Sequence, residues 1–589
     1  MLSSIKVDCQ KHLGTVIDNK DAQTISICKA ETLEMAFLKK DAMDDFQKAV
    51  LAVELQADDC WKQMRLLKRP RNLAMWALLT SMALKLELLQ QEYGPDSVPL
   101  RNMTTLWELC TCGFVFIAEH GKPESKLVRN YSWNGILITD AAHDLEISRE
   151  YTSFQNIFPM WHYDMQAADM LPDGRVRFAF ERDSPRQRQV IALQQTVRPA
   201  IDMQDAPDTR IHRVTLSKEQ NRIFWDFHDP VKSRGLGKKF EYEPPEELIE
   251  MMRPQFEYGV QHRFRHPDDL QLGGYTSRDF RTFYVALMIL CGIHERLCYP
   301  FIEKGYPIPE SSLVMVKPRR AWVTRLAQIS GLSDDICSKI VGHLTMDPSP
   351  TKTSGMAIHP FVPLDKAGRE LAVAPQFVLS ANPDDNILRA LSYRDQALFS
   401  AANTQKEKIL RTKIKAANSR FNLPDPINLP DRTTEIDLII EDPASSTLVL
   451  AELKWIRKPL KPKERAQRNA DVDKGVRQIS LIRAYAREHP DFLKNSRRLT
   501  RDITSYANVY YLLIVADHWI WVEPADGFAI LDFQTFLTKF SQSTDLNATV
   551  TDLLTYDWLP KEGVNFRVKF DASTVNGAII ESPSFHYIR

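Results

Sequence analysis

The most constraining feature of the chain is a stretch of 22 residues in its C-terminal third, TEIDLIIEDPASSTLVLAELKW, at positions 434–455. Residues 435–441 and 447–455 have the apolar and β-branched content of strands. Asp, Pro and Ser in the intervening residues 442–446 are typical of a tight turn. The sequence therefore predicts a β-hairpin at this position.

Charged side chains interrupt the apolar pattern of both predicted strands. Side chains alternate between the two faces of a strand, so Glu452 and Lys454 share one face of the second strand. Asp437 lies between Ile436 and Leu438, where burying an unpaired carboxylate would cost a few kcal/mol. A divalent cation compensates such a charge, and Mg²⁺ prefers carboxylate oxygens and water. The hairpin thus predicts a metal site.

An acid in the strand EIDLII, a turn, and an apolar strand ending in ELK resemble the PD-(D/E)XK nuclease superfamily. The resemblance implies that Asp437 and Glu452 bind Mg²⁺, for which Mn²⁺ can substitute. It also implies that the carbonyl group of Leu453 completes the coordination. Lys454 would orient or activate the attacking water, which makes Asp437, Glu452 and Lys454 the expected catalytic residues. Ile436 stands where the superfamily has its proline.

Flanking segments extend the resemblance over about residues 395–540. The superfamily carries an additional Glu on a helix before the hairpin, and Glu407 lies in a predicted helix at 400–417. The resemblance adds Glu407 to the metal ligands, and leaves open whether one or two ions bind. A helix after the hairpin often bears a catalytic Gln, which implies Gln478 in a predicted helix at 473–488. Tyr485 lies on the same face of that helix.

Two further strands are predicted after these elements, at residues 508–516 and 519–523. The first is a nearly continuous apolar run, which suits a strand that is buried on both faces. The resemblance implies a restriction-endonuclease-like α/β core with a central mixed sheet flanked by helices.

Basic residues are concentrated directly after the motif, although the whole chain has 76 Lys and Arg against 76 Asp and Glu. No global charge therefore attracts nucleic acid, and a local cluster must do so. The alternative is a solvated loop followed by an ordinary amphipathic helix. Adjacency to the motif favours a phosphate-binding role for Lys458, Lys461, Lys463, Arg465 and Arg477.

The whole chain is predicted to be a multi-domain α+β protein, since 589 residues exceed what one hydrophobic core accommodates. Its N-terminal part is rich in helix-forming residues, and its middle is mixed α/β. Strands are expected there at residues 113–117, 135–139, 175–180 and 189–193. The expected segments are a helical region at 1–95, a mixed α+β domain at 96–244, a helical region at 245–350, a linker and lead-in at 351–394, the nuclease-like domain at 395–545 and a C-terminal extension at 546–589.

Residues 324–344 resemble a helix-turn-helix, with Gly331 permitting the turn and Ser333 capping the second helix. Asp334 and Asp335 at the start of that helix would repel phosphates. A structural helical hairpin is therefore favoured over a DNA-reading module.

These patterns predict a metal-dependent endonuclease that hydrolyses phosphodiester bonds, with DNA as the expected substrate. By analogy, it would act in bacterial defence or in a mobile element. The alternatives are a catalytically inactive nuclease-fold subunit that binds nucleic acid or assembles a complex, and an interaction protein whose charged hairpin is surface decoration. The sequence contains no nucleotide-hydrolysis motif. A protein partner or self-association through the N-terminal regions is expected.

A cytoplasmic protein without membrane contact is expected. The eight cysteines form no CxxC pairs, and the N-terminal residues lack the pattern of a signal peptide. The most apolar stretch, residues 73–89, contains Lys85 and Glu87, which predicts a buried helix.

Overall fold

The computed structural model contains two compact units, each a mixture of helices and sheets, in agreement with the expected multi-domain α+β class. Unit 1 comprises residues 1–155, 207–399 and 573–578, and unit 2 comprises residues 156–206, 400–572 and 579–589. The structure describes residues 44–93, 111–125, 135–180, 184–194, 217–235, 242–264, 266–303, 313–347, 358–381, 383–430, 434–456, 462–516 and 528–588.

The elements that precede the hairpin are mostly helical. In chain order they are α1 (Asp45–Asp58), α2 (Arg71–Tyr93), α3 (Gly135–His162), β1 (Gln166–Met170), β2 (Val176–Phe180), α4 (Pro185–Ala192), α5 (Lys218–Gly235), α6 (Glu246–Arg263), α7 (Ser277–Glu303), β3 (Met315–Pro318), α8 (Arg319–Ser330), α9 (Asp334–His343), β4 (Val362–Pro363), β5 (Glu370–Val373), α10 (Pro375–Ser380), α11 (Pro383–Arg394) and α12 (Gln396–Ala417).

The later elements alternate strands and helices. They are β6 (Ile427–Asn428), β7 (Glu435–Ile436), β8 (Leu438–Asp442), β9 (Thr447–Trp455), α13 (Pro462–Glu488), α14 (Phe492–Asn495), β10 (Asn508–Ala516), β11 (Ala529–Asp532), α15 (Phe533–Ser541), α16 (Leu546–Thr555), β12 (Phe566–Val575) and β13 (Ala578–Tyr587).

Three of the four strands predicted in the middle region are wrong. Residues 113–117 are helical, residues 135–139 begin α3, and residues 189–193 lie largely in α4. Residues 113–117 are buried throughout. A short apolar run that is buried on all sides has no alternation of polar and apolar residues by which a helix could be distinguished from a strand. The strand predicted at 175–180 is confirmed as β2.

Of the segment expected as a middle domain, 96–244, residues 156–206 belong to unit 2 and residues 207–244 to unit 1. The physical cause is a long-range strand pairing. Strand β2 pairs in parallel with β13, with Val176 opposite Ile580, in a sheet of order β1-β2-β13-β12. A local pattern cannot reveal a partner strand some 400 residues away.

A second sheet in unit 2 has the order β11-β10-β9-β8. Strands β8 and β9 are antiparallel, whereas β9, β10 and β11 run parallel to one another. Helix α13 connects β9 to β10, as a parallel pair requires. The hairpin, the helix around Gln478 and the strand at 508–516 are thus confirmed, while the strand predicted at 519–523 lies outside the described residues.

Helix α13 packs against this sheet through a buried apolar cluster that includes Ile439, Leu450 and Ile479. Its backbone approaches the sheet closely at Gly475. A Cβ atom there would lie 2.8 Å from Leu513 Cδ1 and 3.4 Å from Lys454 Cγ. The missing side chain therefore lets the helix lie directly beside Lys454.

The helical pair predicted at 324–344 is confirmed as α8 and α9 in unit 1. Gly331 ends α8 with a φ of 72°, and the Ser333 side chain accepts a hydrogen bond from the Ile336 N–H at the start of α9. Asp334 and Asp335 occupy the exposed first turn of α9. The preference for a structural helical hairpin over a DNA-reading module stays a prediction.

The apolar segment at 73–89 is part of α2, and its residues 74–83 are buried in unit 1. Among the residues that the structure describes, none of the helices has the length and apolar character needed to span a bilayer.

Two neighbouring side chains on α13 test the packing of this core. Ile479 is fully buried, whereas Leu481 is 48% exposed. We expect Ile479→Ala to lower the free energy of unfolding by about 2–5 kcal/mol, because it leaves a cavity between helix and sheet. Leu481→Ala should change it by about 0.5 kcal/mol or less. Urea unfolding followed by circular dichroism measures both, and equal losses would contradict this packing.

Candidate active site

The candidate site forms where the predicted first strand breaks in two. Strand β7 ends at Ile436 and pairs with β6, whereas β8 begins at Leu438 and pairs with β9. Asp437 lies between them, and its Oδ2 accepts a hydrogen bond of 2.8 Å from the Leu453 N–H. The side chain of Asp437 is thereby fixed to the backbone of β9.

Glu452 and Lys454 come together on the same face of β9, as alternation predicts. Lys454 Nζ donates a short hydrogen bond to Glu452 Oε1. The Glu452 side chain is 2% exposed and that of Lys454 is 16% exposed. This ion pair is therefore largely shielded from water and sits beside the Leu453 N–H that holds Asp437.

Glu407 reaches the same end of β9 from helix α12. Its carboxylate accepts a hydrogen bond from the Trp455 N–H and interacts electrostatically with Lys454 and Asp437. The neighbouring Lys406 places its ammonium group 4.0 Å from the centroid of the Trp455 ring. Helix α12 is therefore attached to β9 by two adjacent residues.

The three carboxyl groups have raised pKa values. Burial, followed by the charge of Asp437, raises the pKa of Glu452 to about 8, against the opposing effect of Lys454. Burial also raises the pKa of Asp437, although the Leu453 N–H and Lys454 oppose it. The pKa of Glu407 is raised by burial as well, and Lys454 again opposes the shift. The charge of Lys454, joined by that of Lys474 at Glu407, thus only partly offsets burial and the mutual repulsion of the three acids.

Lys454 has a raised pKa despite its burial. Burial by itself lowers the pKa of an ammonium group, but the charges of Glu452, Glu407 and Asp437 outweigh that effect. Lys454 is therefore a permanent cation at neutral pH.

The donor set suits a hard divalent cation. Glu452 Oε2 is buried and receives no N–H or O–H donor among the described residues, and the Asp437 carboxylate lies within hydrogen-bonding reach of the Glu452 carboxyl group. Together with the Asp437 carboxylate it offers the oxygen chemistry that Mg²⁺ prefers. Within the described ranges, however, no group of three or more His, Cys, Asp or Glu side chains is arranged to hold a metal ion. Glu407 as a third ligand, and Mg²⁺ itself, stay predictions.

Leu453 and Gln478 have structural partners at the site. Leu453 is in register with Ile514 of β10 and uses its N–H to bind Asp437, and its carbonyl as a ligand stays a prediction. Gln478 Nε2 donates a hydrogen bond of 3.1 Å to Thr434 Oγ1, just before β7. Its buried Oε1 has no hydrogen-bond partner in the described part of the chain. Gln478 thus contacts the entry to the hairpin.

The predicted basic lining is only partly described. Lys458 and Lys461 lie outside the described residues, as does the side chain of Lys463. Arg465 is half-buried, with Nη1 3.7 Å from Met160 Sδ, whereas Arg477 is exposed on α13. Tyr485, which was predicted on the same helix face as Gln478, packs against His489 and Phe492 and not against the carboxylates.

Sequence reasoning missed two residues that shape the site. Thr434 is 5% exposed and receives the Gln478 hydrogen bond, and Trp455 binds both Glu407 and Lys406. Trp455 was predicted only as the last residue of the strand. Its position directly after ELK is the one sequence signal that could have indicated this role, because it places the Trp455 N–H at the end of the strand.

Comparison with family models, with curated proteins and with solved structures finds no match for this chain. The chemistry of the site must therefore be argued from its own geometry.

The raised pKa of Glu452 predicts how stability depends on pH in metal-free protein. The native pKa is about 8 against an ordinary value of 4.5, so the native state binds more protons than the unfolded state between these values. The free energy of unfolding should therefore fall as pH rises through this window. Glu452→Gln removes the titration, and its amide can still accept from Lys454 and donate to Asp437. We expect it to be more stable than the wild type by about 1–3 kcal/mol at pH 8, with the two alike near pH 5.

Denaturant unfolding in EDTA at several pH values measures this difference. Glu488→Gln, at an exposed position of α13, is the matched control and should follow the wild type at every pH. A parallel fall in stability for the wild type and Glu452→Gln would contradict the assignment.

Proposed function

We propose that this protein is a metal-dependent nuclease that hydrolyses phosphodiester bonds. The observation that carries the proposal is the hydrogen bond from the Leu453 N–H to Asp437, which sets that carboxylate beside the buried Glu452–Lys454 pair. Raised pKa values of buried acids next to a fixed cation are typical of catalytic sites. The combination is difficult to explain as surface decoration.

The order of elements supports the same proposal. Helix α12, the hairpin β8–β9, helix α13 and the parallel strands β10 and β11 follow one another in unit 2. This is the order implied for a restriction-endonuclease-like core. We propose that residues of unit 2 form such a core.

Asp437 and Glu452 would hold Mg²⁺ or Mn²⁺, with the Leu453 carbonyl and Glu407 as further ligands. A bound divalent cation lowers the pKa of a water molecule and polarises a phosphoryl oxygen. Lys454 remains an ammonium group because its pKa is raised, so it cannot accept a proton at neutral pH. Its role is to donate hydrogen bonds to the phosphate or to the attacking water.

Glu452 requires deprotonation before it can act as a ligand. With a pKa of about 8, much of it is protonated at neutral pH until a cation binds. Cation binding and proton release are therefore coupled. DNA is the proposed substrate, with an endonuclease role in bacterial defence or in a mobile element as the analogous setting.

One observation favours a second candidate, a nuclease-fold subunit without catalysis that binds nucleic acid or assembles a complex. Lys454 already occupies one carboxylate oxygen of Glu452, and the described residues contain no group of three or more His, Cys, Asp or Glu side chains arranged for a metal ion. Such a protein would bind nucleic acid in a salt-dependent manner without cleaving it.

Cleavage assays with purified protein separate the two candidates. Supercoiled plasmid, single-stranded DNA and RNA are incubated with Mg²⁺, Mn²⁺ or EDTA. We expect cleavage only with a divalent cation, and a loss of roughly 100-fold or more in rate for Asp437→Asn and Lys454→Ala, since each removes a group that acts on the reacting atoms.

Asp473→Asn on α13 and Lys569→Ala on β12 are matched controls, because both residues are exposed. Their cleavage rates should equal that of the wild type. Cleavage in EDTA, or equal rates for Asp437→Asn and the wild type, would refute the nuclease proposal. Binding without cleavage under every condition would support the second candidate.

A further inference from the structure

Helix α12 carries a strongly basic segment that starts at the candidate site. Residues 401–420 contain one acid, Glu407, whose carboxylate is occupied at the end of β9. They also contain six basic residues, which are Lys406, Lys408, Arg411, Lys413, Lys415 and Arg420. Apart from Glu407, the charged side chains of this segment are therefore all basic.

Three of these residues lie on one stripe of the helix. Lys408, Arg411 and Lys415 follow the spacing i, i+3, i+7, which brings side chains to the same face. Lys408 and Lys415 are exposed, and Arg411 is half-buried. The stripe extends for about 10 Å, which corresponds to about three phosphates of one strand of duplex nucleic acid.

Their charges are largely uncompensated. In the part of the chain that the structure describes, Lys408 and Arg411 form no ion pair. Lys415 Nζ lies 4.0 Å from Asp425 Oδ1, with both side chains mostly exposed to water. Such exposed pairs contribute little, so Lys415 can exchange this partner for a phosphate at small cost.

Both ends of the stripe are fixed to the rest of unit 2. At the site end, Glu407 and Lys406 hold Trp455. At the far end, Asn418 Nδ2 donates hydrogen bonds to the carbonyl oxygens of Phe540, at 2.8 Å, and Ser543, at 3.0 Å. The stripe is thus held in a defined direction, which reduces the entropy lost on binding a strand.

Helix α13 is a weaker candidate for the same role. Its exposed positions mix the acids Asp473 and Glu488 with the basic residues Lys474 and Arg477. Arg468 on the same helix already forms a salt bridge of 2.7 Å with Asp471. Of the two helices that flank the hairpin in sequence, α12 therefore offers the more uniformly positive surface.

We propose that Lys408, Arg411 and Lys415 form a backbone-binding track for nucleic acid, which leads a strand toward Asp437, Glu452 and Lys454. The choice of partner rests on the proposed nuclease function. Contacts to phosphates position a strand without reading its sequence, so the track sets the path of the substrate and leaves base selection to other surfaces.

Binding in EDTA tests the track without cleavage. The probes are a fluorescein-labelled 20-base-pair DNA duplex, a single strand of equal length and phosphatidylserine vesicles. For the track variant Lys408→Gln/Arg411→Gln/Lys415→Gln, we expect the Kd for DNA to rise roughly 10–100-fold. The negative slope of log binding constant against log salt should become less steep, by about 3 for duplex and by about 2 for single strands. Each single variant should make this slope less steep by about 1.

The matched control is Lys561→Gln/Arg567→Gln/Lys569→Gln, which removes the same charge from exposed positions of unit 2. Its Kd should remain within about twofold of the wild type. Circular dichroism checks the folding of both triple variants, and the single variants provide the slopes if the triple variant does not fold.

The outcomes separate this proposal from the proposed function. Loss of binding by the track variant, combined with a wild type that never cleaves, supports the track and refutes the nuclease. Metal-dependent cleavage by the wild type, combined with equal binding by track and control variants, refutes the track and leaves the nuclease. A wild type that binds only the vesicles overturns the track as a nucleic-acid surface.

Discussion

The hydrogen bond from the Leu453 N–H to Asp437 is the interaction on which the candidate site depends. Without it, the break between β7 and β8 would leave Asp437 as a partly buried charge with no fixed direction, at a cost of about 1–3 kcal/mol for the unsatisfied group. With it, one carboxylate is held against the backbone between Glu452 and Lys454. The same contact joins the end of β7 to β9, so the geometry of the hairpin and of the site are determined together.

Electrostatics explains why this arrangement favours a cation. Among the described residues, Lys454 interacts with Asp437, Glu452 and Glu407, and Lys474 interacts with Glu407, yet all three carboxyl groups keep raised pKa values. Without a further positive charge, these acids reduce their mutual repulsion by holding protons. A divalent ion would replace those protons, and the buried Oε2 of Glu452 is a suitable acceptor. Helix α12 contributes Glu407 to this group of acids and carries the exposed basic residues Lys408 and Lys415 beyond it.

Much of the C-terminal architecture follows from local sequence pattern. The strand Thr447–Trp455 and the helices around Glu407 and Gln478 were predictable because apolar periodicity and turn residues agree there. The adjacency of Glu452 and Lys454 follows from strand alternation alone. The break at Asp437 was not predictable, since residues 435–441 are also compatible with one unbroken strand and the change of partner from β6 to β9 depends on tertiary pairing.

Other features depend on tertiary contacts that no local pattern contains. Residues 113–117 have strand-like composition but are helical. The sequence does not reveal the helix, because a segment buried on every side has no polar face to show the helical period. Gln478 binds Thr434, a residue 44 positions earlier, and its catalytic role stays a prediction. Sequence position favours the basic residues directly after the motif, whereas the hydrogen bond between Trp455 and Glu407 places the preceding helix, with its basic residues, at the site.

Calorimetric titration of metal-free protein with Mn²⁺ near pH 7, in two buffers of different ionisation enthalpy, tests the central claim most directly. Because Glu452 has a pKa of about 8 without the ion, binding at Asp437 and Glu452 should release about one proton per site. Asp437→Asn and Glu452→Gln should each weaken Mn²⁺ binding by roughly 10–100-fold. Glu452→Gln should in addition abolish the proton release. Binding that is absent, or that releases no proton and is unchanged in Asp437→Asn, would contradict a cation site built on these two carboxylates.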